Sequence, residues 1–282
     1  MVTDNLILKI EATLQDLRPS EQKIAHYVLA NYEQVKFQTV SELASNSHVS
    51  EASVMRFIKR LGFKGFQYFK LSLASTTNQA NSQRLKGITA DDSTEEIKKT
   101  IAGNCISSIQ DTATLLENQD LEQAIELILS SKEILIIGVG SSGIFAQTLS
   151  YNFLRIGIIA KYISDPHLQA MTASLIKPGD LVIGISHSGS TRDTIDAIKL
   201  AHQKQAKTIC ITAHLKSPIA KYADVLLCSF SREDPLGRSA GRGSISQLYV
   251  IETLTACLYT KIKEQADHCR QTTAQAVLGK LY

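Results

Sequence analysis

Hydroxyl side chains are concentrated in the stretch Gly184–Thr194, which reads GISHSGSTRDT. Four of the six residues from 186 to 191 carry a hydroxyl. A serine or threonine hydroxyl donates a hydrogen bond without bringing a charge, which suits reversible binding of an anion. The stretch directly follows the apolar run DLVIGI, so the hydroxyls are expected just beyond the end of a buried strand.

A second polar loop follows another apolar run and reads IIGVGSSGIFAQ, residues 136–147. Both loops lead into helical patterns, so each offers backbone N–H groups and the positive end of a helix to an anion. In an open parallel sheet, ligands bind beyond the carboxyl ends of the strands, where the strand order reverses. The two loops together therefore favour a site for one compact phosphate monoester.

Three other interpretations fit these loops less well. Residues 138–143 match GxGxxG, but the acid that a dinucleotide site needs after the second strand is poorly matched by Asp165, which lies past the strand in a DP turn. A catalytic serine needs a partner base, but His187 is adjacent to the serines in sequence and therefore points elsewhere. The stretch SHSGS also lacks the G-x-S-x-G pattern of a nucleophile elbow, because it has glycine on one side only. A tight turn followed by a helix N-cap is the third interpretation, and it would account for about one of the four hydroxyls.

The elements that must position these loops alternate in the second half of the chain. Short aliphatic runs, apolar on both faces as buried parallel strands are, alternate with helix-like stretches. The runs cover residues 133–138, 158–163, 180–185, 207–212 and 224–229. This pattern predicts an α/β/α sandwich with a five-stranded parallel sheet.

The first half of the chain has apolar residues at helical spacing and no strand pattern. Five short helices are predicted between about residues 5 and 73, and a polar linker follows. The expected organisation is a helical domain over 1–78, a linker over 79–94 and the α/β domain over 95–282.

The segment VSELASNSHVSEASVMRFIKRLGF, residues 40–63, is typical of a helix-turn-helix. Histidine stands where the turn glycine is usual, and histidine tolerates the left-handed conformation better than most residues. Residues 51–70 contain five cations and one anion, whereas the whole chain has a net charge of +3. Positive charge is thus concentrated where a phosphate backbone would lie. The alternative is a small helical bundle with a basic face.

Roles in this segment follow from position and charge. Ser50 is expected to cap the second helix, with Glu51, Ser53 and Arg56 facing the DNA groove and Arg56 reaching a base edge. The other cations are expected to contact phosphates: Lys59, Arg60, Lys64 and Lys70.

The five cysteines are odd in number and lack zinc spacing, which predicts reduced thiols in a cytosolic protein. Neither a signal peptide nor a membrane span is indicated. A cytoplasmic protein without a metal, a cofactor or a membrane partner is expected.

Both halves together resemble a known family. GVGSSG and ISHSGSTRDT look like the SIS (sugar isomerase) domain, which binds phosphosugars. The segment SELASNSHVSEASVMRFIKRLGFKGFQYFK closely resembles the RpiR/MurR family of bacterial transcriptional regulators, and RGSISQLYVIETL looks like that family's final helix. The resemblance covers nearly the whole chain, and VMRFIKRLGFKGFQYFK is its most specific part.

The resemblance implies a regulator that binds double-stranded operator DNA and a phosphorylated sugar, as a homodimer or homotetramer. Repression of sugar or amino-sugar catabolism genes is the expected sign, with activation as the alternative because the family also contains activators. The implied effector is a sugar phosphate, with N-acetylhexosamine 6-phosphates among the candidates. His167 would contact the sugar end, with a structural histidine as the equal alternative. The implied ligand-binding residues are Ser141, Ser142, Ser186, Ser188 and Thr191, with backbone help from Gly189 and Ser190.

SIS domains also occur in aldose–ketose isomerases, which need a base beside the carbonyl. The candidates here are Glu252, His167 and His187, but an isomerase has no need of a basic helix-turn-helix, so a sensor rather than an enzyme is expected. In that sensor, the glycine-rich segment 232–244 is expected to fold over the ligand as a lid. His187 has no assigned role and is expected to point away from the phosphate.

Overall fold

The structure is a computed structural model that describes residues 6–35, 38–74, 88, 89, 91–231 and 242–280. Contacts divide the chain into two units, one running up to Ser107 and the other formed by Ser108–Ser231 and Gly241–Tyr282. The division falls inside a helix that begins at Thr94, whereas the sequence predicts the domain boundary at residue 95, in the first turn of that helix. Residues 79–87 and 90 of the expected linker, residues 75–78 at the end of the expected helical domain and residues 232–241 of the expected lid lie outside the described residues.

The first unit is helical, as the apolar spacing predicts. Its core is formed by large side chains, among them Leu43, Phe57 and Phe69, which are fully buried. Its helices are α1 (Leu6–Thr13), α2 (Pro19–Val35), α3 (Val40–Asn46), α4 (Glu51–Arg60) and α5 (Phe66–Ala74).

The second unit alternates helices and strands. Helix α6 (Thr94–Leu115) lies across the division between the units, and α7 follows it. The remaining elements in chain order are α7 (Asn118–Ser130), β1 (Ile134–Ile137), α8 (Ser141–Arg155), β2 (Lys161–Ile163), α9 (Pro166–Leu175), β3 (Leu181–Ile185), α10 (Arg192–Gln203), β4 (Lys207–Thr212), β5 (Val225–Cys228), α11 (Arg242–Lys261) and α12 (Lys263–Leu278).

The five strands form one parallel sheet in the order β2-β1-β3-β4-β5. This confirms the predicted sheet, and every predicted aliphatic run contains one of its strands. The order reverses between β1 and β3, where Ile136 pairs with Ile183. The two hydroxyl-rich loops follow these two strands, so they lie side by side at the switch point.

Side chains of successive strand residues enter two cores, one on each face of the sheet. On one face Ile136 and Ile183 pack with α7, α8 and α11, and on the other Ile137 and Val182 pack with residues of α9 and α10. Because both faces are covered, the strands are apolar throughout, which is why their continuous aliphatic runs identified them in the sequence.

All five cysteines are free thiols, as expected. Burial raises the pKa of Cys228 to about 12 and raises that of Cys210 still further, so both thiols stay protonated and unreactive. In the ranges that the structure describes, every helix is too short or too polar to span a lipid bilayer.

Candidate functional site

The loop after β3, residues 186–191, is called the phosphate loop here. Its first residue, Ser186, is buried at the carboxyl end of the sheet. Ser186 is 1% exposed, and its N–H donates to the carbonyl of Ile211 in β4 at 3.1 Å. The Ser186 hydroxyl lies 3.3 Å from the Thr191 hydroxyl, across the base of the loop. Thr191 then precedes α10, whose first N–H groups have no partner within the helix.

Gly189 gives the phosphate loop its tight shape. Its φ is +61°, and a Cβ there would lie 2.0 Å from the Ser217 hydroxyl oxygen. Its N–H donates to the Ser186 carbonyl at 3.0 Å. With Gly189 packed this closely, Ser188 and Ser190 stay exposed at the tip, and the Ser190 N–H donates to the Ser188 hydroxyl at 3.2 Å.

The loop after β1 contributes two serines with different surroundings. Ser141 is exposed at the start of α8, whereas Ser142 is buried. The Ser142 hydroxyl accepts from the His187 N–H at 3.3 Å and lies 3.5 Å from Oε1 of Gln247. Ser142 therefore ties the two loops together, while Ser141 is the serine of this loop that a ligand can reach.

His187 is half-buried in the middle of the phosphate loop. Its Nε2 lies 3.4 Å from the Ser231 hydroxyl, and its ring centroid lies 6.4 Å from that of His214. A Cβ on Gly243 would lie 2.6 Å from its Cε1. The imidazole is thus enclosed by residues from the end of β5 and the first turn of α11.

Helix α9 brings His167 to the same edge of the sheet. Asp165 caps the helix by accepting from the Leu168 N–H at 2.8 Å, and His167 is exposed in the first turn. Gln169 is buried and donates to the carbonyls of Gly138 and Ile163, the ends of β1 and β2, at 3.1 and 3.0 Å. Glu252, the candidate isomerase base, is exposed on α11 and accepts from Asn152 at 2.9 Å.

Several residues that shape this site carry no signal in a local motif. Thr212 donates to the His187 carbonyl at 3.1 Å, and its place at the carboxyl end of β4 is a signal that strand order could have supplied. The others become evident only through contacts distant in sequence: Gln169, Ser217, Ser231, Gly243 and Gln247.

The helix-turn-helix is built by α3, a short turn and α4. Thr39 and Glu42 form a capping box at the start of α3, and the hydrogen bonds from Thr39 lower the pKa of the Glu42 carboxyl. His48 has a φ of +53°, as expected for the residue in the glycine position of the turn. Ser50 caps α4, since its hydroxyl accepts from the Ser53 N–H at 3.3 Å.

The solvent face of α4 carries part of the predicted DNA-binding set. Ser50, Glu51, Arg56 and Lys59 are exposed, and Lys64 is exposed after the helix. Ser53 was expected to face the groove but is 5% exposed, because it lies on the face of α4 that packs on the core. Its hydroxyl accepts from Arg56 at 2.9 Å and therefore orients that guanidinium.

Two predicted phosphate contacts, Arg60 and Lys70, are half-buried and hydrogen-bonded to other residues of the helical unit. The Arg60 guanidinium lies 2.7 Å from the Glu21 carboxylate and 2.9 Å from the Asp16 carbonyl. The Lys70 ammonium donates to the Gln38 carbonyl at 2.9 Å. Their charged groups are engaged in hydrogen bonds within the unit. Arg56, Lys59 and Lys64 are therefore the exposed cations of the predicted set.

Replacement of Arg60 by alanine is expected to lower the free energy of unfolding by about 1–3 kcal/mol, because the 5%-exposed Glu21 side chain loses its cationic partner and keeps the Arg18 N–H, which donates to it at 3.0 Å. Urea denaturation measures this. Lys59→Ala is the matched control: it removes the neighbouring exposed cation and should change stability by less than about 0.5 kcal/mol. An Arg60→Ala protein of unchanged stability that binds DNA as weakly as Lys59→Ala would restore the phosphate-contact role.

Sequence models of two families match the chain. The helix-turn-helix domain of the rpiR family matches residues 4–80, and the SIS domain matches residues 127–258. The first match contains α1–α5, and the second contains both hydroxyl-rich loops.

Similar proteins extend over nearly the full length. An HTH-type transcriptional regulator of Haemophilus influenzae is 32% identical over 97% of this chain and 96% of its own. The regulator RpiR of Escherichia coli K12 is 28% identical over 93% of this chain and 89% of its own.

A solved structure matches this chain over nearly its whole length. It is the Vibrio vulnificus NanR protein complexed with ManNAc-6P, which is 30% identical and superposes with a TM-score of 0.64, covering 99% of this chain and 100% of that one. The two domain matches include the helix-turn-helix and the two loops at the switch point, and the relatives align over nearly the full length. The chain belongs to the RpiR family of helix-turn-helix transcriptional regulators and carries a SIS domain.

Proposed function

We propose that this regulator controls transcription in response to a sugar phosphate bound at the phosphate loop. The observation that carries the proposal is the pairing of two loops at the sheet switch point, with exposed hydroxyls at Ser141, Ser188 and Ser190. The phosphate would accept hydrogen bonds from these hydroxyls and from N–H groups at the start of α10. Thr191 lies half-buried at the base of the same loop and would add a further donor, while the buried Ser186 hydroxyl donates to Thr191 at 3.3 Å and would orient it.

The sugar end would extend toward α9, where His167 is exposed. Because the similar NanR protein was solved with ManNAc-6P, an N-acetylhexosamine 6-phosphate is the first effector to test. We expect the effector to lower operator affinity, as in a repressor. The regulator would act in the cytoplasm as a homodimer or homotetramer, which suits paired half-sites in DNA.

A thermal-shift screen tests the effector. Hexose, pentose and N-acetylhexosamine phosphates are compared with the same sugars without phosphate, because a ligand that binds only the folded state raises the melting temperature. At 100 times its dissociation constant, a true effector stabilises the fold by about 2.7 kcal/mol. Equal shifts with phosphorylated and unphosphorylated sugars would contradict the phosphate loop assignment.

DNA recognition would use the exposed face of α4. Replacement of Arg56 by alanine is expected to cost about 1–3 kcal/mol at one base position and to relax specificity there. Replacement of Lys64 should instead weaken binding to all sequences and reduce the slope of log K against log salt by about 1. Fluorescence titrations with specific and scrambled duplexes separate the two, and an unchanged operator preference in Arg56→Ala would refute its groove position.

The isomerase alternative has weaker support. Of its three candidate bases, Glu252 is exposed and accepts a hydrogen bond from Asn152, His187 is enclosed by neighbouring side chains, and His167 alone is exposed beside the loops. An isomerase base must face the substrate carbon. We expect incubation of the protein with each screened sugar phosphate to give no aldose–ketose conversion by NMR, and product formation would revive this function.

A further inference from the structure

The carbonyl oxygen of Phe230, just after β5, is shared by two helices. The Thr112 hydroxyl of α6 donates to it at 2.8 Å, and the Ser246 hydroxyl of α11 donates at 2.7 Å. Both hydroxyl-bearing residues are fully buried. A carbonyl has two lone pairs, so it accepts both bonds at once and joins α6, the end of β5 and the first turn of α11.

The next residue along the chain reaches the phosphate loop. The Ser231 hydroxyl lies 3.4 Å from Nε2 of His187, and the same imidazole packs against Gly243 in the first turn of α11. A second link runs from the His187 N–H to Ser142 and on to Gln247 of α11. Movement of the phosphate loop therefore acts directly on the end of β5 and on α11.

Helix α6 is the element through which the chain passes from the helical unit into the α/β unit. We infer that His187 couples occupancy of the phosphate loop to α6, through Ser231 and the Phe230 carbonyl, with Thr112 as the receiving residue. This inference rests on the proposed function. It gives His187 and Thr112 positioning roles, because neither needs to touch the effector or DNA.

The coupling has a physical basis in the phosphate loop itself. A phosphate bound by hydroxyls and N–H groups of residues 186–191 favours one loop conformation over others. Because the His187 ring is enclosed by Ser231, His214 and Gly243, a change in the backbone there changes those contacts too. Linkage requires the effect to be mutual, so operator DNA must change effector affinity by the same factor as effector changes DNA affinity.

The test measures this factor. The dissociation constant of N-acetylmannosamine 6-phosphate is measured with and without a saturating duplex that the wild-type protein has selected from a random pool. If that sugar gives no thermal shift, the screened phosphate with the largest shift replaces it. The reciprocal titration, duplex with and without sugar, must give the same ratio. The wild-type ratio is expected to lie within about 5- to 150-fold.

Thr112→Val keeps the shape of the side chain and removes the donor, so the ratio is expected to fall at least about threefold, while the separate affinities for sugar and for DNA change less than about threefold. Thr112→Ser keeps the hydroxyl and should retain the ratio. Thr114→Val is the matched control on the same helix, because the Thr114 hydroxyl donates to the Gln110 carbonyl of its own helix at 2.9 Å. His187→Gln should lower the ratio as Thr112→Val does.

The outcomes are distinct. A wild-type ratio in both folded variants, Thr112→Val and His187→Gln, would overturn the coupling route while leaving the proposed function standing. An equal loss in Thr114→Val would also overturn it, since the effect would then not depend on the Phe230 carbonyl. A wild-type protein whose DNA affinity no screened sugar phosphate changes would contradict the proposed function itself.

Discussion

Replacement of Ser186 and Ser188 together by alanine is expected to abolish the response to sugar phosphate while leaving operator binding intact. A hydroxyl that donates to a phosphate is worth about 1.5–3 kcal/mol. The variant loses the exposed Ser188 donor and also the Ser186 hydroxyl that orients Thr191, so effector affinity should fall by about 100-fold or more. Neither residue belongs to the helical unit, which contains α3 and α4, so DNA binding without effector should not change.

Isothermal titration with the effector and fluorescence titration with the operator measure the two affinities separately. Ser130→Ala with Ser174→Ala is the matched control, because these serines of the same unit bond to carbonyls of their own helices at 2.7 and 2.6 Å. If the Ser186/Ser188 variant responded to its sugar phosphate as the wild type does, the phosphate loop would be the wrong site.

Replacement of Gly189 by alanine is expected to remove effector binding and to lower the free energy of unfolding by several kcal/mol. Two causes add: the left-handed φ costs an L-residue about 1–2 kcal/mol, and the new methyl would lie 2.0 Å from the Ser217 hydroxyl. Ser217 is buried and bonded to the His214 carbonyl at 2.8 Å, so it has little freedom to move aside.

The control for this prediction is Gly179→Ala in the turn before β3. Gly179 also has a positive φ, +95°, but an added Cβ would lie 3.6 Å from the Lys132 side chain, an ordinary contact. This variant should show the backbone cost alone and bind effector normally. Equal urea midpoints for the two variants would show that the close approach of the new methyl group to Ser217 does not destabilise the phosphate loop.

The strands and helices were predictable because their signals are local. An aliphatic run such as LVIGI at 181–185 is buried on both faces, and the run itself reveals this. The apolar residues of α4 recur at helical spacing, and Ser50 precedes them as a cap. The left-handed turn at His48 followed from its position in the motif.

The donor set of the site was only partly predictable. Sequence placed Ser141 and Ser142 together as ligand contacts, but the second is turned inward to join two loops. It likewise placed Ser53 on the solvent face of α4, although that position falls on the core side. Adjacent residues on a helix point in directions about 100° apart. A shift of one position along the helix therefore decides whether a serine side chain faces the ligand or packs against the rest of the unit.

By itself, the sequence determined the two-part organisation, the parallel sheet and the loops that hold the candidate site, because each is encoded in residues close together along the chain. Only the tertiary structure decided which polar groups remain available. Arg60 meets Glu21 across 39 residues of sequence, and the His187 ring meets Ser231 across 44. Such partners are chosen by the packing of separate elements, and no local pattern specifies them.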